Sequence, residues 1–154
     1  MIQSLKTYWR MLKGFFELGS AQSEIRPSEC ISRFLVHTSE YSVTKQRVKH
    51  NAFFPPPNLK HSVYRTSGLD DSAIWEIGRS YVAEPREKTL KGRGDLRANV
   101  IFGVGLTLAS DPTPHPLHAN IIGWPTDKDE KLQLSIELAE AASLVVAPTH
   151  SPSR

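Results

Sequence analysis

Residues 54–58 read Phe-Pro-Pro-Pro-Asn, and no helix or central strand can run through them. Each proline lacks the backbone N–H and holds the residue before it in extended backbone. The chain must therefore restart at Leu59. From there it alternates, with Leu59, His61, Val63 and Arg65 on one side and Lys60, Ser62, Tyr64 and Thr66 on the other. A period of two is a strand. This strand carries a histidine and an arginine among apolar neighbours, so it is the first place to look for chemistry.

The segments around it sort by the same rules. Residues 30–39, CISRFLVHTS, are β-branched and aromatic and read as a strand. Residues 40–53 stay open between a second strand and an irregular basic loop. Residues 67–82 read as a helix capped by Asp70 or Asp71, with Leu69, Ala73, Ile77 and Tyr81 as packing face, Ile74 beside them and Gly78 dividing it. Residues 83–97 are polar and glycine-bearing and read as a long exposed loop. Residues 98–110, ANVIFGVGLTLAS, are almost continuously apolar and read as a central strand buried on both faces. A proline-stiffened loop (111–117) leads to a short strand at 118–123. A helix comes after it, with Thr126 as N-cap, Asp129 in the capping-box position and a stripe of Leu132, Ile136, Ala139 and Ser143. Leu144–Pro148 can supply a last strand.

This order lacks the strand–helix–strand alternation of a parallel doubly wound sheet. The expected class is α+β: a mixed or antiparallel sheet with helices packed on one side, plus an N-terminal amphipathic helix. The 154 residues suit one compact domain at 29–148, preceded by helix and linker at 1–28 and followed by a frayed tail at 149–154. In the helix, Ile2, Leu5, Trp9, Leu12 and Phe16 form the apolar stripe, beside a basic stripe of Lys6, Arg10 and Lys13. Segment 2–18 is expected to pack on the domain, or to make a homodimer or partner-protein contact. No apolar run nears the ~20 residues of a membrane span, and no signal-peptide pattern opens the chain. The single cysteine, Cys30, fits a reducing compartment, so a cytoplasmic location is expected.

Charge is uneven. Residues 45–65 hold Lys45, Arg47, Lys49, Lys60 and Arg65 and no acid, whereas residues 98–154 hold three basic and six acidic groups. A basic region points to an anionic partner: nucleic acid, nucleotide or an acidic protein surface. The expected module binds through Lys45, Arg47, Lys49, Tyr64 and Arg65, with Phe53 and Phe54 close enough in sequence to offer stacking.

The second reading is an enzyme. His118 comes after a loop and begins a strand, a placement that suits a general base. Arg65 offers a planar fork for phosphate or carboxylate, with Asp95 or Asp111 as its internal alternative partner. His61 and Tyr64 are supporting candidates. The chemistry would be hydrolysis or transfer on a nucleotide-like or phosphate-bearing substrate. Asp111, His115 and His118 offer metal-type donors at a spacing that lacks a fourth ligand, so no metal is called for. Val63–Tyr64–Arg65 is similar to the first motif of ADP-ribosyltransferase folds, but Glu137 and Glu140 lie in a helix pattern and supply no matching catalytic glutamate. Phosphate-loop and nucleophile-elbow templates are incomplete, and the sequence calls for no cofactor.

Overall fold

The structure, a computed structural model, describes residues 24–149. The expected helix at 2–18 and most of the expected tail lie outside the described residues. Six strands form one sheet: β1 (Cys30–Leu35), β4 (His61–Arg65), β5 (Gly92–Arg97), β6 (Thr107–Ser110), β7 (His118–Ile122) and β8 (Ser143–Val146). Their spatial order is β6-β7-β4-β1-β5-β8, and every neighbouring pair is antiparallel. The remaining strands, β2 (Tyr41–Ser42) and β3 (Arg47–Val48), close a small hairpin.

The class is α+β, as the sequence implies, but the helices do not share one side. Pleating sends alternate residues to opposite faces. One face carries Ile31, Leu35, Val63 and Ile121, and it packs against α2 (Ala98–Gly103) and α3 (Lys128–Ala141) through Ile101, Leu138 and Ala139. The other carries Phe34 and Tyr64 and packs against α1 (Asp71–Ile77) through Ile74, Trp75 and Ile77. A sheet with apolar groups on both faces needs cover on both. From α1 the chain continues into a π-helical turn, Gly78–Ala83, with Gly78 against the ring of Phe34, where a Cβ would come within 2.6 Å.

Two segments depart from expectation. Residues 92–97, expected in a loop, form β5, paired with β1 on one side and β8 on the other. Arg93 and Asp95 are paired within the protein. Arg93 Nε and Nη2 donate to Asp95 and Asp71, its guanidinium lies 4.5 Å over Trp75, and Ser32 Oγ donates to Asp95 at 2.6 Å. Among the described residues, Arg93 Nη1 is buried with no acceptor. Residues 98–110, expected as one central strand, are instead α2, a turn through Gly105 at φ +90°, and the edge strand β6. An apolar run of that length reads the same as buried helix or buried strand.

Caps follow local chemistry. Asp70 accepts from Ala73 N–H at 2.8 Å. In α3 the cap is Asp127, accepting from Glu130 N–H at 2.9 Å, rather than Thr126. Trp124 is buried, and its Nε1–H donates to the Ile121 carbonyl. Ile25, five residues before β1, is buried in the larger core and belongs to the folded body. No helix among the described residues is long and apolar enough to cross a membrane.

Candidate functional site

β4 and β7 are neighbours, with Ser62 opposite Asn120 and Tyr64 opposite His118. All four therefore face the α1 side. At this corner the Ser62 hydroxyl lies 2.7 Å from His118 Nε2. The other ring nitrogen, Nδ1, lies 2.9 Å from the backbone carbonyl of Asp111. A carbonyl only accepts, so Nδ1 carries the proton. In the neutral ring Nε2 is then a bare acceptor, and the Ser62 hydroxyl donates to it. A hydroxyl aimed at an imidazole that is itself held from behind is the arrangement of an activated nucleophile.

Asp111 also brings its carboxylate near. Oδ2 is 3.7 Å from His118 Nδ1 and accepts from the Asn120 side-chain amide at 3.1 Å. The loop is fixed in turn by Asp111 N–H on the His118 carbonyl and His118 N–H on the His115 carbonyl. His118 is nearly buried, at 7% exposure, while Ser62 is partly open and the Asp111 side chain is 47% exposed. The site thus joins a nearly buried imidazole to a partly buried serine.

Aromatic rings wall one side. Tyr64 meets His118 edge to face at 5.2 Å, and His115 meets Tyr81 at 4.8 Å. His115 Nδ1 accepts from Leu117 N–H, and partial burial, with the neighbouring His118, lowers its pKa. Burial raises the pKa of Tyr64.

The residues expected at the site separate. His118 and Tyr64 are in it. Arg65 leaves β4 on the opposite face, opposite Ile31, and its fork is held by Glu29 at 2.8 and 3.0 Å. Its internal partner is thus Glu29, neither Asp95 nor Asp111. His61 also faces away, wholly in the core, with Nε2 on the Ala52 carbonyl at 2.8 Å and its ring near Phe53 and Trp124. Desolvation, with the cation of Arg33 next, holds its pKa well below the ordinary value. Arg33 is itself buried and pushed down to about 10 by desolvation, and it donates to the Ala52 and Ser62 carbonyls.

Lys45, Arg47 and Lys49 are exposed on or just after the β2–β3 hairpin, which lies against β8, across the sheet from Ser62. Of the aromatics expected to stack, Phe53 and Tyr64 are buried and Phe54 is half-buried beneath Lys131. Among the described residues no group of three His, Cys, Asp or Glu side chains is placed to hold a metal.

The sequence alone does not single out Ser62 or Asn120 as site residues. The available signal is the alternation that sets Ser62 and Tyr64 on one face. It does not contain the register that brings β7 beside β4. No protein-family model, curated protein or solved structure matches the chain.

Proposed function

We propose that the chain is a hydrolase or transferase in which Ser62 is the nucleophile and His118 its general base. The observation that supports this is the 2.7 Å contact from Ser62 Oγ to His118 Nε2, with Nδ1 anchored on Asp111. Ser62 Oγ attacks an acyl carbonyl carbon while its proton passes to Nε2. The tetrahedral adduct collapses when His118 returns that proton to the leaving oxygen or sulfur. Water, deprotonated by the same nitrogen, then releases the acyl group from Ser62, or another alcohol takes it up. Asn120 sits directly across from Ser62, and one of its two amide protons goes to Asp111. The second would meet the developing oxyanion. Arg65, held by Glu29 on the opposite face, has no part in this scheme, and the substrate class proposed is a simple ester or thioester.

A panel of activated esters of increasing chain length tests the reading. The expected result is turnover with an initial burst, lost in Ser62→Ala and reduced about 10²–10⁴-fold in His118→Gln. Equal rates in Ser62→Ala and the unaltered chain would overturn it. A second reading, docking of an anionic partner, is favoured by the exposed cations Lys45, Arg47 and Lys49 at the hairpin.

A further inference from the structure

β8 is the outermost strand on the hairpin side of the sheet, and no described strand pairs with its free side. Ala147 N–H bonds the Lys91 carbonyl across β5. Alternation then turns Ser143 and Val145 inward, and Leu144 and Val146 present their N–H and C=O groups outward. The rim is apolar. Val146 is 49% exposed and Val43, at the hairpin, 59%. Val43, Gln46, Leu144 and Val146 line one shallow depression on this edge. Lys45 and Arg47 flank the lining residue Gln46 in the chain and are exposed, as is Lys49, and residues 41–49 contain no acid.

An open edge flanked by exposed valines offers pairing to another extended backbone. We propose that β8 and the hairpin dock an extended acidic segment of another protein, which adds one strand to the sheet. Its alternate side chains would rest on Val43 and Val146, and its carboxylates would meet Lys45 and Arg47. A second copy of this chain would bring the same cations against these ones, which disfavours self-pairing. Nucleic acid would use the cations but neither the valines nor the backbone edge. The proposal is independent of the Ser62 reading.

The test is fluorescence anisotropy on the full chain with a short labelled peptide of alternating glutamate and valine. Saturable binding is expected. It should fall roughly tenfold or more in Lys45→Glu/Arg47→Glu, and that variant should gain the lysine–valine counterpart peptide. N-methylating one alternate set of peptide nitrogens should abolish binding, and methylating the other set should spare it. Circular dichroism melting of each variant checks that the fold persists. No binding to the unaltered chain overturns the proposal, and so does indifference to both methylations. Two further results overturn it: hairpin-dependent binding of an oligothymidylate without the peptide, and a dimer in sedimentation that Val146→Lys dissolves.

Discussion

Tyr64 and His118 lie opposite one another on neighbouring strands, and their rings meet edge to face at 5.2 Å. The same tyrosine touches Phe34 at 5.5 Å and covers the imidazole from the α1 side. It couples the smaller core to the candidate site. Tyr64→Ala should cost about 3–5 kcal/mol in chemical denaturation, by loss of apolar contact and the cavity left behind. Tyr64→Phe should keep most of that stability. In ultraviolet titration, the phenol missing from Tyr64→Phe should be one that ionises above the ordinary range. A folded-state pKa that is raised gives stability present below pH ~10 and lost as pH rises through the folded value.

His61 gives a prediction of opposite sign. Its folded-state pKa is depressed, so the neutral ring is favoured in the core. The stability this brings is complete above pH ~6.5 and falls as pH drops below it, by up to about 1.4 kcal/mol per pH unit. His61→Phe should flatten that slope in urea midpoints measured between neutral and mildly acid pH. It should not orphan the Ala52 carbonyl, which also accepts from Arg33 Nε at 3.0 Å. An unchanged slope would place the acid sensitivity elsewhere, His115 being the next group with a lowered pKa.

Arg93 is 5% exposed, and with Asp95 it makes a charged strand tolerable inside the sheet. Arg93→Met should cost about 3 kcal/mol, because Asp95 loses its cation while remaining partly buried. Adding Asp95→Asn should recover part of that loss. Thermal melts of the single and double variants measure the coupling.

That strand also marks a boundary of what the sequence makes legible. Arg93 and Asp95, flanked by Gly92 and Gly94, look like loop residues until Ser32, Asp71 and Trp75 are known to surround them. The glycines are there for space. A Cβ at Gly92 would come 2.7 Å from the Val145 carbonyl, and one at Gly94 would press on Val48. The departure at 98–110 has another cause, since Val100, Ile101 and Phe102 satisfy a buried helix as well as a strand. By contrast, the alternation within 61–65 is readable because β4 sends Val63 to one core and Tyr64 to the other. His118 is readable by its place after a stiff loop. Ser62 becomes visible only with the β4–β7 register, which brings together residues 56 positions apart.

The most direct measurement on the central claim is intact-mass analysis after treatment with a small fluorophosphonate, which phosphonylates activated serines with loss of fluoride. The account predicts a single adduct on Ser62, absent in Ser62→Ala and strongly slowed in His118→Gln, with both variants folded by circular dichroism. An unmodified chain under conditions that saturate a known serine hydrolase, or an adduct forming on Ser62 at the same rate without His118, would contradict it.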